Sequence, residues 1–505
     1  MLNCQINRFL LGSVLLFAWS CNAFNDLAEV SIEESQPTFA VPLLNTQIST
    51  DDLVSQIDHE DISLITSQDG TYLIRVQGPT FRYEKVDLFQ PFQLGFPIPI
   101  QDTNYQFSFP VINGVQVNKA VLKGGNLFFT FSSDLTEDID VTVFIPQLSN
   151  DNVPFQEHFS LEYNGNPNFF RSNPIPLQGM DLNISENYFE VKYFALRSDG
   201  QRIKLPLVLM EFDVLDFLYL EGNLSRTVLS TGRMAIGLEA IDSVLPGEVV
   251  FEDAQLHIDL ANSFGLPVSI RFDELNVQTS IGLLPLVSEL INQPVQMAYP
   301  GPNEIGEVKN QMITFHSGNS NILDLVNQRV IGLFYDIGII LNGENDTARS
   351  HFLTDSSFFQ MGVYAEVPLH GQLRNMEINR IVEIDFSSLD SLAFLELKMV
   401  VENGIPLAFD PQLQFLNESN QIISSLKPDN NVVIKPMDDS GNSSELTTTI
   451  LYFTGDGALL NKIAEARSMN ASLTISTPNA GAGKARLTPG QIMNIKIGAK
   501  IVARN

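Results

Sequence analysis

Cysteine is almost missing from this chain: 505 residues contain two, Cys4 and Cys21. Both lie in the first 21 positions, so a chain that begins at Cys21 has one thiol. Disulfides, thiolate zinc sites and cysteine nucleophiles are then excluded. Tryptophan is scarcer still, with Trp19 alone. Basic residues are few, 29 against 59 acidic, and the formal charge is -30. No Lys/Arg run occurs. Binding to nucleic acid therefore has no electrostatic footing, and neither does polybasic docking on an anionic leaflet. Past the leader no apolar run reaches the length of a membrane helix. The G-x-S-x-G elbow, the H-E-x-x-H zinc motif, the phosphate-binding P-loop and the dinucleotide fingerprint are all missing. The six histidines, at 59, 158, 257, 316, 351 and 370, are scattered, and no two lie close enough for a local metal pair.

What is present begins with the N-terminus. Arg8 precedes an apolar stretch, Phe9 to Trp19, and then Ser20 and Cys21. This is a signal-peptide pattern, too short and too early for a spanning helix. Ala18 and Ser20 before Cys21 resemble the cleavage box of bacterial lipoproteins. That resemblance implies removal of residues 1–21 and acylation of the Cys21 thiol as a lipid anchor. The alternative is an ordinary cut near Asn22 and Ala23, giving a soluble export. Residues 22–35 read as an acidic tether.

The rest reads as strand. Ser63 to Val76 is a hairpin around Asp69-Gly70, a pair suited to the φ > 0 positions of a type I′ turn. Segments such as Asn126–Phe131, Leu256–Leu260 and Leu395–Met399 alternate apolar and polar residues. That is the signature of a sheet with one buried face. Such sheets need a second layer. An apolar content of 44% supports real cores. Pro91 to Ile100 is a proline-spaced, extended crossing rather than a central strand.

Two elements recur at one separation. Leu256–Phe272 aligns with Leu397–Phe409: strand, asparagine turn at Asn262 or Asn403, an apolar-proline pair, second strand. A third, fainter copy is Ile139–Ile145 followed by Asn152–Phe155. Downstream, Asn321–Ile331 reads as a short helix capped by Asn319 or Asn321, before the strand Asp336–Leu341. Its counterpart is Ala458–Arg467 after the cap Asp456, before Asn470–Ile475. Ile48–Ile57 is a third candidate for that helix. The expected fold is all-β, mainly antiparallel, with a few short helices. It comprises tandem β-sandwich-like modules of about 140 residues in an elongated body: 36–175, 176–345 and 346–505.

Chemistry-bearing residues are sparse. His257 and Asp259 share a strand face, a pairing that an exposed polar face also produces without function. The carboxylates of Asp134–Asp140 and the Asp438–Asn442 loop are the candidates for calcium, though neither matches an EF-hand loop. No other cofactor is expected. Phe129, Phe131, Phe92 and Phe96 either line an apolar groove or fill cores.

Phe39–Asn45 followed by Asp52-Leu53, Ser320–Leu325 and Tyr364–His370 resemble segments of uncharacterised Bacteroidetes-type envelope lipoproteins and secreted β-rich proteins. The resemblance implies an outer-membrane lipid-anchored location and no assigned activity. Asn262–Val268 also resembles the turn of plant desiccation-related β-sandwich domains, which bears on fold only. The first expectation is a non-enzymatic cell-envelope lipoprotein with a structural or protein-binding role. Its partners would be envelope proteins, and it would touch the membrane through Cys21 alone. The alternative is a periplasmic or outer-membrane lipid-binding protein of elongated tubular β type, with an apolar ligand. An exported hydrolase assembled from distant residues is the third reading.

Overall fold

A computed structural model describes residues 38–54, 62–84, 97–109, 111, 115–165, 168–184, 188–238, 247–344, 350–383, 392–429, 434, 446–463 and 465–503. The expected architecture is what these residues build: antiparallel sheets with a few short helices. The expected strands Asn126–Phe131, Leu256–Leu260 and Leu395–Met399 fall inside the strands Asn126–Ser133, Gln255–Asn262 and Leu392–Asn403. No helix among the described residues is long and apolar enough to cross a membrane.

Residues 98–224 supply most of a nine-stranded and a five-stranded sheet. Alternation sets their inward faces, as in Ile139, Val141, Val143 and Ile145. Phe129 and Phe131 are fully buried and pack with Phe159 at 5.7 and 5.2 Å between ring centroids. They belong to the core rather than to a groove; Phe92 and Phe96 lie outside the described residues. Ile98–Pro99 sits at a sheet edge, where proline's missing N–H costs no ladder bond.

The central sandwich has a first sheet in the order Ile62–Thr66, Tyr72–Gln77, Phe358–Pro368, Gln255–Asn262, Lys309–Phe315. Its second runs Thr227–Ser230, Val330–Leu341, Val268–Thr279, Gly282–Pro285. The C-terminal sandwich repeats this plan. Thr38–Ser49, Ile492–Ala503, Leu392–Asn403 and Thr447–Asp456 form one sheet. Met376–Glu383, Ser468–Ser476, Ala408–Leu416 and Ile422–Leu426 form the other. The N-terminal and central parts share one apolar core, whereas the C-terminal sandwich has its own around Val401, Phe409 and Phe453.

The repeated asparagines sit where the chain leaves one sheet and enters the facing one. Asn262 and Asn403 are fully buried. Asn262 Oδ1 accepts the Phe264 N–H at 3.0 Å, and Asn403 Oδ1 accepts the Ile405 N–H at 2.9 Å. Each side-chain amide donates to a carbonyl, Ala298 or Leu407, at 3.3 and 3.0 Å. Asparagine supplies both an acceptor and a donor at a corner where the ladder is interrupted. The third copy is different. Ile139–Asn150 and Val153–Leu161 pair within one sheet, joined by Asp151 (φ 48°) and Asn152 (φ 64°). Two left-handed residues make a two-residue hairpin, not a crossing between sheets.

Other turns also differ from expectation. Five residues separate the paired Thr66 and Tyr72, so Asp69-Gly70 forms no two-residue type I′ loop. Gly70 (φ 86°) alone of the pair is left-handed, and its N–H donates to Ser67 O at 3.0 Å. Asp69 instead accepts the Thr71 N–H at 3.1 Å and the Ser67 hydroxyl, bonds that hold its carboxyl down at about 2.

The three expected helices exist in shorter form. Thr50–Val54 carries a reciprocal cap between Ser49 and Asp52. Residues 55–57 lie outside the described set. Gly457–Ile463 is capped by Asp456, whose Oδ1 accepts the N–H groups of Ala458 and Leu459 at 3.1 and 2.9 Å. Ile322–Val326 starts after Asn321, but that side chain makes no cap bond. It accepts the Val287 N–H at 2.7 Å instead and donates to Pro285 O.

Candidate binding site

Where the two central sheets diverge at one end, they leave a cavity of about 450 Å³. Val76, Leu256, Ala365 and Val367 line it from the first sheet, and Val277, Val330 and Leu333 from the second. Ile322 and Val326 of the short helix and the strand Glu248–Phe251 form the remaining wall.

That wall is held by polar bonds at its seams. Asn327 Oδ1 accepts the Phe251 N–H at 2.8 Å, and its amide donates to Phe251 O at 3.1 Å. This two-point clasp fastens the strand to the end of the helix. Ser280, at the turn between Val268–Thr279 and Gly282–Pro285, donates from N–H to Arg329 O and from Oγ to Gln328 O, both at 3.1 Å. Arg329 is left-handed (φ 57°) and its guanidinium donates to Gly247 O at 3.3 Å. These groups are engaged with the frame, whereas Gln328 Oε1, also in the lining, is buried without a hydrogen-bond partner among the described residues; the rest of the wall is mostly hydrocarbon. Such a space selects for apolar ligands chiefly by burial.

The second cluster surrounds His257, on the opposite face of the first central sheet. Nδ1 lies 3.0 Å from Thr314 Oγ1, and Nε2 stands 3.4 Å from Glu366 Oε2. The latter distance is too long for a good hydrogen bond. The expected partner Asp259 is exposed and makes no contact of this kind. Arg75 Nε donates to Glu366 Oε1 at 2.8 Å, with a second, shorter bond from Nη2. The Tyr364 ring stacks on the imidazole at 4.7 Å. Burial pushes the His257 pKa below its ordinary value, against the pull of Glu366 and Asp259.

Hydroxyl, imidazole and carboxylate thus occur in the order of a nucleophilic triad. Their surroundings do not suit that work: His257 is 5% exposed, and the carboxylate is already forked by Arg75. The cluster is a run of cross-strand pairs that stabilises the sheet.

The other sequence candidates are dispersed. Cys21, His59 and Asp438–Asn442 lie outside the described residues. In the 134–140 cluster, Glu137 pairs with Arg197 at 2.6 Å and Asp138 accepts the Tyr163 N–H at 2.7 Å. Asp140 lies 3.5 Å from His158. The carboxylates thus point to separate partners, and no three metal-binding side chains converge among the described residues. Sequence reading missed the cavity, because its lining residues come from six separate stretches of chain and carry no motif.

No protein-family model matches the chain, and no curated protein matches it. Among solved structures, a secreted protein of Parabacteroides distasonis is 11% identical, with 92% of this chain and 99% of that one covered and a TM-score of 0.30. The triple jelly-roll protein of an archaeal virus turret is 10% identical over 94% and 98%, with a TM-score of 0.12. The infectious bursal disease virus VP2 protein is 10% identical over 97% and 86%, with a TM-score of 0.15. TM-scores at this level mark no shared fold, and the likeness to the secreted Parabacteroides protein is a weak one.

Proposed function

We propose that this is an exported, non-enzymatic protein, held to the cell envelope by an acylated Cys21, that binds an apolar ligand in the central cavity. One observation carries the reading: an apolar space of about 450 Å³ within an otherwise close-packed sandwich. Its size falls within the range of small-molecule sites. The space opens to solvent beside the exposed Val250 and Ile281, and an apolar occupant gains by covering its hydrocarbon walls. The scaffold reading has no comparable observation behind it among the described residues.

The test is to recover the mature protein from its own membranes, denature it, and identify released small molecules by mass spectrometry. Binding of a fluorescent fatty acid is then compared with that of Ala365→Phe, which fills the space from the strand Phe358–Pro368. The expected result is a released apolar compound and loss of binding in a folded variant. A variant that binds as well as the parent would remove the cavity as the site. Cys21→Ala tests the anchor separately, by loss of the protein from the membrane fraction.

A further inference from the structure

The turn that borders the cavity continues into an unusual strand. Gly282–Pro285 lies at the edge of its sheet, paired on one side with Val268–Thr279. Alternation along such a strand ordinarily sends polar side chains to solvent. Here the outward positions are Ile281, Leu283, Pro285 and Val287, with Ile281 74%, Leu283 44% and Val287 60% exposed. The inward positions, Leu284 and Leu286, are apolar too. Edge strands are normally protected by charge or a covering element. This one presents a continuous apolar stripe, the kind of surface that marks a contact site.

The stripe is continuous with the cavity. Ile281 is at once the most exposed residue of the stripe and part of the cavity lining. Val250, on the opposite side of the mouth, is also a lining residue and is 42% exposed. The rim thus carries apolar side chains together with the exposed Glu248, Ser280 and Arg329. A ligand that partitions out of water must pass from one apolar phase to another, and apolar side chains at the rim shorten its path through water.

Resting on the cavity reading, we propose that the 268–287 hairpin docks on a zwitterionic phospholipid surface and exchanges the ligand between bilayer and cavity. Charge decides which surface. In the 268–287 hairpin the one basic residue, Arg271, is forked to Asp273, Glu274 is acidic, and the whole chain carries -30. Anionic headgroups would be repelled, whereas phosphatidylcholine or phosphatidylethanolamine presents no such opposition. Shallow entry of Ile281, Leu283 and Val287 into the headgroup boundary buries the stripe, as interfacial apolar faces do.

The scarcity of tryptophan supplies the probe. In a chain expressed from residue 22, Leu283→Trp is the sole tryptophan, because Trp19 lies outside it. Emission is followed on adding phosphatidylcholine vesicles, with and without brominated lipid. The expected result is a shift to shorter wavelength and quenching by the brominated chains. Phe169→Trp, at a residue 69% exposed elsewhere, should show neither. Leu283→Asp with Val287→Asp should lose ligand loading from vesicles while keeping binding of ligand supplied in detergent. Ala365→Phe should keep the vesicle-dependent shift of Leu283→Trp and lose loading, so failure of the cavity and failure of the docking surface are separable. Unchanged Leu283→Trp emission with vesicles would overturn the proposal. So would a shift that depends on protein concentration rather than lipid, which would make the stripe an interface between copies.

Discussion

The central and C-terminal sandwiches share one plan, yet only the central one is shown to hold a cavity bordered by its helix. In the C-terminal copy the helix Gly457–Ile463 is two residues longer than Ile322–Val326 and is capped by Asp456. It drives Leu460 and Ile463 into the core, at 0% and 1% exposure. In the central copy Asn321 gives up the capping role to hold residues 285 and 287, the base of the exposed stripe. The shorter helix leaves Ile322 and Val326 as walls of a space. The comparison teaches that two copies of one sheet order can differ in the short helix beside them, and that the central helix borders a cavity.

The sharpest way to break the comparison is to truncate the two helices. Leu460→Ala removes a side chain packed on all sides and should cost about 3–5 kcal/mol in urea unfolding. Ile322→Ala removes one that already borders open space and should cost nearer 2 kcal/mol. Equal losses would mean that the central helix is as tightly packed as its counterpart. The corner asparagines should behave alike, since each accepts the N–H two residues on and donates to one carbonyl, distant at Asn262 and local at Asn403. Asn262→Ala and Asn403→Ala are each expected to cost about 2–3 kcal/mol, because buried backbone groups lose their partners. A negligible effect at one of them would show that the two corners are not equivalent.

Capping separates the helices at smaller scale. Asp456→Ala should cost about 1 kcal/mol through the lost cap. Asn321→Ala should leave helix content unchanged and loosen the 285–287 segment, read by faster amide exchange at Val287.

The smallest effect concerns pH. His257 has no imidazole counterpart in the C-terminal sheet, where Lys398 takes its place five residues before the corner asparagine. Its folded pKa lies below the ordinary value. The unfolded chain then binds the extra proton first as pH falls, so stability is fully present above about 6.5 and declines below it. His257→Gln should flatten the melting temperature between pH 7.5 and 5.5 relative to the parent. His370 shifts in the same direction through burial and Arg486, so His370→Asn should flatten the same slope by its own share. A parent-like slope in His257→Gln would place the dependence elsewhere.

Legibility in the sequence followed locality. Strands were readable from alternation, and the turns were readable from Asn262 and Asn403, because asparagine bonds its immediate neighbours; that these turns cross between facing sheets was not readable. Asp456 was readable as a cap for the same reason. Asn321 was not, because its choice of Val287 over the helix depends on a partner 34 residues away. The His257 cluster was half readable. Alternation put Asp259 on the same strand face, but the partners that matter, Thr314, Tyr364 and Glu366, come from neighbouring strands. Ile281 to Val287 did carry a signal, an apolar run with no polar alternation at an edge, and its meaning depends on which strand neighbours it.

Composition and pattern by themselves determined a cysteine-poor, acidic, β-rich chain and a doubled strand-turn-strand unit. These depend on residue type and short spacing, which the chain states directly. Tertiary structure decided the rest. It paired Thr38–Ser49 with Ile492–Ala503, from opposite ends of the sequence. It also drew six separate stretches around one space and set an apolar edge beside its mouth. Those outcomes arise from sheet order and from the packing of one layer on another, and no local pattern encodes either.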